Sequence, residues 1–362
     1  MGTEKVLVAM SGGVDSSVAA KLLTDAGFSC VGCTMKLYDN EDAGIPKANT
    51  CCSLDDVEDA RSVAYRLGMP YYVFNLKDKF AECVIDRFVS AYEHGITPNP
   101  CIDCNRYLKF DKLFERADVM GCRYIATGHY ARVERDGERY VLKKALDETK
   151  DQSYVLYDLT QETLARVKFP LGGLRKTEAR EIAAEAGLIN ARKHDSQEIC
   201  FVPDGDYAKV IETRTGTTPE PGPFLDLNGH VVGTHRGIIH YTVGQRRGLR
   251  MPSDGKIYVV KILQEQNAVV VGPNEALFTR ACLVSNMHWI SGEAPALPFR
   301  CSAKTRYRQP EQPCTVYPAG EGGVRLVFDE PLRAITPGQS AVLYDGDTVL
   351  GGGIIAREET AC

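Results

Sequence analysis

A glycine- and serine-rich loop near the N-terminus has the composition of a phosphate-binding site. Residues 11–17 read SGGVDSS and stand between an apolar run at 6–10 and a helical pattern. Glycines let a backbone approach a ligand closely, and the N-terminus of the following helix offers unpaired N–H groups to an anion. A Walker A loop would carry a lysine near its end, and this loop has none, which argues against γ-phosphoryl transfer. The loop therefore predicts a site for nucleotide phosphates.

Cysteines supply the second set of candidates for chemistry. The chain has 13 of them, an odd number, and its first residues lack the basic-then-apolar pattern of a signal peptide. We therefore expect a cytoplasmic protein, in which grouped cysteines indicate catalysis or metal binding rather than disulfides. The groups are Cys51-Cys52, Cys101 with Cys104 in the segment TPNPCIDCN, and Cys200 in DSQEICF. Others, such as Cys83, Cys122 and Cys282, lie in apolar patterns and are expected to be inert.

The spacing of Cys101 and Cys104 alone leaves several kinds of site open. Two prolines stiffen the loop before them, and a thiol near a helix N-terminus has a lowered pKa. The pair fits half a zinc site, a redox pair or a chance spacing. No second C-x-x-C or histidine pair at zinc spacing follows in the sequence, which argues against a closed structural zinc site. Taken alone, Cys200 would be a buried, inert thiol.

Composition restricts the class of protein. The 362 residues are 44% hydrophobic and 25% charged, which excludes disordered, coiled-coil and collagen-like chains. No run approaches 18 apolar residues, so no membrane partner is expected. The net charge of -5 means that any contact with RNA must come from local basic patches. The candidate patches are Gln245-Arg246-Arg247 with Arg250, and Lys304 with Arg306 and Arg308.

The elements that must position these residues form an α/β domain followed by β structure. Up to about residue 200, short β-branched runs alternate with helical patterns, which predicts a doubly wound, mostly parallel sheet. A loop is predicted over 97–101 and a helix over about 106–120. After about residue 205, short strands broken by Gly, Pro and Asp turns replace helical periodicity. We predict a catalytic domain over 1–205, a small mixed domain over 206–279 and a C-terminal β-barrel over 280–362 that serves binding rather than chemistry.

Seven motifs together resemble those of one enzyme family. The loop SGGVDSS resembles the pyrophosphate-binding loop of N-type ATP pyrophosphatases. With TPNPCIDCN, ATGHYARV, KDQSYVLY, DSQEICFVPDGDY, GIIHYTVGQRRGL and AKTRYRQ, it occurs in the order found in bacterial tRNA-specific 2-thiouridylases. The resemblance spans nearly the whole chain and implies that the C-terminal β-barrel over 280–362 binds tRNA. It implies ATP-dependent sulfuration of uridine 34, the wobble base in the anticodon of certain tRNAs, with release of AMP and pyrophosphate.

The resemblance also implies roles for particular residues. Cys200 is similar to the cysteine that receives sulfur as a persulfide, and Cys104 to its partner nucleophile, which later forms a disulfide with it. The ATP site would comprise Ala9, Met10, Ser11, Gly12, Gly13, Val14, Asp15 and Ser16 at the phosphates, with Met35 and Gly128 at the adenosine. The tRNA contacts would be Asn99, Pro100 and Cys101 at the target base, with His129, Lys150, Asp151, Gln152, Arg306, Tyr307 and Gln339 elsewhere. ATP, Mg²⁺ and a cysteine desulfurase or sulfur-relay protein are the expected cofactors and sulfur donor.

Cys101 leaves the mechanism open between two forms. Some family members carry an aspartate there, a candidate general base, and Asp103 is a possible substitute in this chain. Alternatively, Cys101, Cys104 and Cys200 would hold a [4Fe–4S] cluster whose open iron binds sulfide.

Two other functions remain open at this point. Another adenylating ATP pyrophosphatase, such as a tRNA-lysidine synthetase or an amidotransferase ligase, would not need two spaced cysteines. A non-catalytic tRNA-binding or sulfur-carrier protein would not need an intact SGGVDSS loop.

Overall fold

The computed structural model describes residues 4–38, 54–193, 199–202, 205–251, 255–320 and 322–357. Cys51, Cys52, Ser53 and residues 195–198 lie outside the described residues. No helix within the described ranges is both long and apolar enough to cross a membrane.

The N-terminal domain is built on a parallel sheet with helices on its faces. Its strands are β1 (Lys5–Ala9), β2 (Ser29–Lys36), β3 (Tyr71–Asn75), β4 (Tyr124–Ala126), β5 (Arg132–Asp136), β6 (Arg139–Lys143) and β7 (Val167–Lys168). Its helices are α1 (Val14–Asp25), α2 (Leu54–Arg66), α3 (Lys77–Phe80), α4 (Asp86–Glu93), α5 (Pro100–Asp103), α6 (Leu113–Val119), α7 (Gln161–Arg166) and α8 (Lys176–Glu185). A 3₁₀ turn covers Ser153–Leu156.

The parallel sheet has the order β3-β2-β1-β4-β7, as expected for a doubly wound fold. The central strand β1 has the sequence KVLVA, and Val6, Leu7 and Val8 are completely buried. Such continuous apolar runs are typical of strands covered by helices on both faces. The predicted fold class is therefore confirmed.

Two long helices each contain a π-helical segment. Ala81–Ile85 joins α3 to α4, and Cys104–Lys112 joins α5 to α6. The second helix begins at Pro100, so the predictions of a loop through Cys101 and of a helix start near 106 were wrong. Proline suits the first helical turn, and the Asn99 side chain accepts a hydrogen bond from the Cys101 N–H at 3.2 Å.

The central region contains one helix and a four-stranded sheet. Helix α9 (Tyr207–Thr215) precedes β8 (Gly222–Leu225), β9 (Val231–His235), β10 (Tyr258–Leu263) and β11 (Ala268–Gly272), in the order β10-β11-β8-β9. The sequence analysis missed α9. The Asp206 side chain caps its first turn and Gly216, in the left-handed conformation, ends it. Three further 3₁₀ turns cover Ile238–His240, Gln264–Gln266 and Asn274–Leu277.

The C-terminal region is a closed antiparallel barrel. Its strands are β12 (Phe278–Trp289), β13 (Phe299–Lys304), β14 (Gln312–Ala319), β15 (Gly323–Arg333), β16 (Ser340–Asp345) and β17 (Thr348–Ile355). Pairing of β12 with β17 closes the barrel. The hairpin β5–β6 of the N-terminal domain extends this sheet, because Lys143 pairs with Thr348 of β17. The barrel and the N-terminal domain therefore share one sheet. This pairing fixes which side of the barrel faces the N-terminal domain.

Candidate active site

The nucleotide loop lies where the parallel sheet reverses its strand order. From β1 the chain builds outward through β2 to β3 and then returns to β4 on the other side of β1. In open α/β sheets, ligands bind at such a switch point, outside the carboxyl ends of the strands. The loop after β1 and residues 127–129 after β4 both lie at this point.

A cavity of about 1150 Å³ opens from this point and brings most of the predicted site together. From the predicted ATP site it is lined by Ala9, Met10, Ser11, Gly13, Val14, Asp15, Ser16, Met35 and Gly128. From the predicted cysteine and tRNA sites it is lined by Pro100, Cys101, Cys104, His129, Lys150, Asp151, Gln152, Cys200 and Tyr307. Gly12, Asn99, Arg306 and Gln339 do not line it.

The loop backbone is held with its carbonyl groups turned into the protein. The Asn190 side chain donates hydrogen bonds to Gly12 O at 3.0 Å and Gly13 O at 3.2 Å, and the Ser17 hydroxyl donates to Gly13 O at 3.0 Å. In a trans peptide the N–H points opposite to the carbonyl, so the next N–H groups are turned away from these partners. Gly12 has φ of +74°, and a Cβ there would lie 2.3 Å from Asp56 O. Only glycine fits this approach.

Two lysines beyond the loop hold the acidic side chains at its edge. Lys176 Nζ lies 2.7 and 2.8 Å from the two Asp15 carboxylate oxygens, and the Tyr130 hydroxyl donates to Asp15 at 3.0 Å. Lys193 Nζ lies 2.6 Å from Asp56 Oδ1. The sequence analysis did not identify these lysines, because their distance from the loop along the chain gives no signal of contact.

The three cysteines that line the cavity differ in how deeply they are buried. Cys101 is exposed, whereas Cys104 is buried, and burial raises the pKa of its thiol. Cys200 is half-buried, and its carbonyl accepts a hydrogen bond from the Tyr38 hydroxyl at 2.6 Å. Cys104 and Cys200 pack into the same apolar cluster, with Phe80 among its members. Both thiols therefore reach the cavity from one apolar wall.

The three cysteines of the alternative cluster site all line the cavity, and the cluster itself remains a prediction. Within the described ranges, no three His, Cys, Asp or Glu side chains are grouped closely enough to hold a metal ion. Asp103, the possible substitute base, does not line the cavity, and its carboxylate lies 3.4 Å from Arg87 Nε.

Family models match the chain in three consecutive regions. They are described as a tRNA methyl transferase HUP domain over residues 4–204, a tRNA methyl transferase PRC-barrel domain over 209–273 and an aminomethyltransferase beta-barrel domain over 279–355. The tRNA-specific 2-thiouridylase MnmA of Symbiobacterium thermophilum is 49% identical over 98% of this chain and 92% of its own length. This chain belongs to the tRNA-specific 2-thiouridylase family.

Other family members show the same extent of similarity. The 2-thiouridylase of Acetivibrio thermocellus is 49% identical over 98% of this chain and all of its own length. That of Clostridioides difficile is 47% identical over 98% of both chains. The family assignment therefore covers all three regions of the fold.

In this 2-thiouridylase family member, His129 lies deep in the cavity wall. It is 6% exposed, and burial with the nearby Lys109 charge holds its pKa well below the usual range. Its Nε2 lies 3.4 Å from Lys109 Nζ, and its Nδ1 lies 2.6 Å from Thr127 Oγ1. Because an ammonium group can only donate, Nε2 accepts, and the ring proton is on Nδ1, which donates to Thr127. His129 is thus a neutral imidazole of defined tautomer.

The barrel supplies the opposite wall of the cavity. Lys304 and Tyr307 line it together with Lys144 of the N-terminal domain. Lys144 Nζ lies 2.5 Å from Glu311, and Lys304 Nζ lies 3.5 Å from Asp151. These ion pairs cross between the two regions. The sequence analysis predicted Asp151 and Tyr307 as tRNA contacts but missed Lys144 and Glu311, which carry no motif of their own.

Arg306 and Gln339 join regions of the protein. The Arg306 guanidinium donates to Val243 O at 2.9 Å and Ala334 O at 3.0 Å, and burial lowers its pKa. Gln339 Nε2 donates to Thr97 O at 2.9 Å. Their predicted contacts with tRNA remain predictions.

Proposed function

We propose that this protein uses ATP to replace O2 of uridine 34 in tRNA with sulfur. The observation that carries the proposal is a single cavity lined by the nucleotide loop at one end and by Cys104 and Cys200 on its apolar wall. The curated relatives are named tRNA-specific 2-thiouridylases. Two of the matching family models are described as tRNA methyl transferase domains. Methyl transfer would explain neither the nucleotide loop nor the two thiols.

In the first step, the loop binds the ATP phosphates and uracil O2 attacks the α-phosphorus. The O–P bond forms, pyrophosphate leaves, and the base carries AMP on O2. The inward carbonyls of Gly12 and Gly13 leave the following N–H groups for the phosphates. Asp15 and Asp56 line this end of the cavity, and one or two carboxylates with substrate phosphates suit Mg²⁺. When bound, Mg²⁺ would neutralise charge on the phosphates.

In the second step, sulfur replaces the adenylated oxygen. The terminal sulfur of a Cys200 persulfide forms a bond to C2, and the C2–O bond breaks with its electron pair on AMP. The Cys104 thiolate then attacks Cys200 Sγ, so the sulfane sulfur is reduced and stays on C2 while the two thiols are oxidised to a disulfide. Both thiol protons are released. A cysteine desulfurase or relay protein would supply the persulfide, and a reductant would reopen the disulfide for the next turnover.

Reconstitution with defined components tests this function. Purified protein, unmodified tRNA, ATP, Mg²⁺, cysteine and a desulfurase should yield 2-thiouridine at position 34, measured by mass spectrometry of nuclease digests. Cys104→Ser and Cys200→Ser should abolish the product. Cys83→Ser is the matched control, because Cys83 lies in the same domain but does not line the cavity. AMP formation that needs neither Cys104 nor Cys200 and gives no thiouridine would favour another adenylating enzyme.

Substitution of Cys101 distinguishes the persulfide mechanism from a cluster mechanism. We expect Cys101→Ala to retain most thiolation when a persulfide donor is supplied, because the transfer needs only an acceptor thiol and its resolving partner. We also expect a Cys104–Cys200 disulfide in aerobically purified protein, detected by peptide mapping. Anaerobic protein whose activity follows its iron content and disappears in Cys101→Ala would instead support the cluster mechanism.

A further inference from the structure

Lys109 differs from neighbouring lysines of the cavity in what its ammonium group contacts. Lys144, Lys193 and Lys304 each lie within ion-pair distance of a carboxylate. The Lys109 ammonium instead lies 3.4 Å from the neutral His129 ring. Across the described ranges, no carboxylate forms an ion pair with it.

The π-helical segment Cys104–Lys112 explains why Lys109 reaches this position. A turn of α-helix takes 3.6 residues, so a residue five places on would lie well off the face of the first. The i→i+5 pattern of a π-helix brings such residues onto one face. Lys109 is five places after Cys104, and both line the cavity. The cation therefore shares a helix face with the proposed nucleophile.

Through His129, Lys109 is linked to the nucleotide end of the site. Its partner His129 follows Gly128, and a Cβ on Gly128 would lie 2.7 Å from the Ser16 N of the loop. His129 is held by Thr127 and accepts one ammonium hydrogen, which leaves two hydrogens for a ligand. Lys109 is therefore a half-buried cation that has no carboxylate partner in the described ranges and lies between the nucleotide loop and the Cys104 thiol. Such a position suits an anion that extends from the loop to the thiol.

We propose that Lys109 is a catalytic residue that binds the phosphate group joining AMP to the activated uridine. This inference rests on the proposed function. The adenylate must link adenosine at the loop to a base beside the thiols, so its phosphate lies between them. When the C2–O bond breaks, the electron pair moves onto a phosphate oxygen, which gains negative charge. A cation that contacts this oxygen stabilises the transition state more than the ground state.

Single-turnover thiolation of saturating, pre-bound tRNA tests the proposal. We expect Lys109→Met to slow thiouridine formation by about 10²–10³-fold, the usual effect of losing one charge-stabilising group. We expect Lys109→Arg to recover part of the rate, because it restores the charge. The affinity for tRNA and its salt dependence should stay at the wild-type values. Lys112→Met is the matched control and should keep the wild-type rate, because Lys112 lies on the same π-helical segment but does not line the cavity.

Three outcomes would overturn the proposal. A wild-type rate in Lys109→Met would remove Lys109 from the reaction. Weaker tRNA binding with a salt slope about one unit lower would make Lys109 a contact of the RNA backbone. Equal losses in the Met and Arg variants would indicate packing rather than charge. Lys109→Gln replaces Lys109→Met under the same criteria if the Met variant does not fold. Failure of wild-type protein to form thiouridine would instead overturn the proposed function.

Discussion

At the scale of single residues, Asp158 is a buried carboxylate placed without hydrogen bonds. Within the described ranges neither of its side-chain oxygens has a hydrogen-bond partner, and Arg106 Nε lies 3.5 Å from Oδ2. Burial raises its pKa to about 7, although the Arg106 charge opposes the shift. Below pH about 7 the fold therefore favours the protonated acid, which no step of the proposed reaction requires.

Asp158→Asn should make stability less sensitive to pH. An unfolded aspartate has a pKa near 3.9, so the raised folded pKa gives stability that is complete below pH about 4 and is lost as pH rises through about 7. The three-unit difference corresponds to about 4 kcal/mol at pH 8. Melting temperatures should therefore favour the Asn variant at pH 8 but not at pH 4.

Asp136→Asn, at an exposed position, is the control for this measurement. A wild-type melting curve whose pH dependence matches that of Asp158→Asn would show that Asp158 ionises normally.

Residue types in the sequence predicted the chemistry of the site better than its contacts. The loop and the cysteines stand in compact motifs, so their residue types alone indicate phosphate and sulfur. The roles of Lys109 and Lys176 follow only from their partners His129 and Asp15, which lie 20 and 161 residues away along the chain. Such pairs are set by tertiary packing, which a single sequence does not display.

At the scale of elements, Gly128 sets how closely β4 approaches the nucleotide loop. A Cβ at this position would lie 2.7 Å from Ser16 N and 2.8 Å from Asp15 C, both atoms of the loop backbone. Helix α1 begins at Val14, so neither atom is free to shift without moving the helix. The contact joins the two strand ends that form the switch point of the sheet.

Gly128→Ala should therefore raise the KM for ATP by about tenfold or more, because overpacking of 1–3 kcal/mol must be relieved by displacing the loop. The affinity for tRNA should be unchanged in filter-binding assays. Gly173→Ala is the matched control, because a Cβ there meets nothing within 4 Å. A wild-type KM in Gly128→Ala would show that the loop accommodates a methyl group.

The elements also show where periodicity was insufficient for prediction. Strand β1 and helix α1 were predicted from patterns that the fold preserves. The π-helical register of Cys104–Lys112 follows neither the 3.6-residue nor the two-residue period, so patterns of apolar residues do not reveal it. The hairpin β5–β6 was missed although its turn carries Asp136-Gly137, a dipeptide typical of hairpins; the membership of its strands in the barrel sheet, by contrast, has no local signal.

At the scale of the whole molecule, the barrel holds the segment that leads into the cysteine helix. Gln339 donates to Thr97 O at 2.9 Å and to Pro98 O at 3.1 Å, and the Thr97 N–H donates to Pro337 O at 3.0 Å. A Cβ on Gly338 would lie 2.0 Å from an Ile96 side-chain carbon. The barrel therefore supports the position of Cys101 and Cys104 in addition to lining the cavity.

The basic patch predicted in the barrel divides into residues with different surroundings. Lys304 is largely buried and lies near Asp151, and the Arg306 guanidinium donates to the carbonyls of Val243 and Ala334. Arg308 is exposed at the cavity and is the member of the patch best placed to meet an RNA phosphate. Charge on a sequence does not distinguish these roles, because the partners of Lys304 and Arg306 come from other regions of the fold.

Arg308→Ala should weaken tRNA binding and reduce the slope of log affinity against log salt by about one unit, as one lost phosphate contact does. Arg306→Ala should instead lower the melting temperature, because Val243 O and Ala334 O lose their donor. Arg306→Ala should weaken tRNA binding without changing the salt slope, because Arg306 joins regions of the protein and makes no ionic contact with RNA. Affinities measured at several salt concentrations, with melting curves for both variants, distinguish the two roles. A reduced salt slope and an unchanged melting temperature in Arg306→Ala would show instead that Arg306 contacts an RNA phosphate, in line with its predicted contact with tRNA.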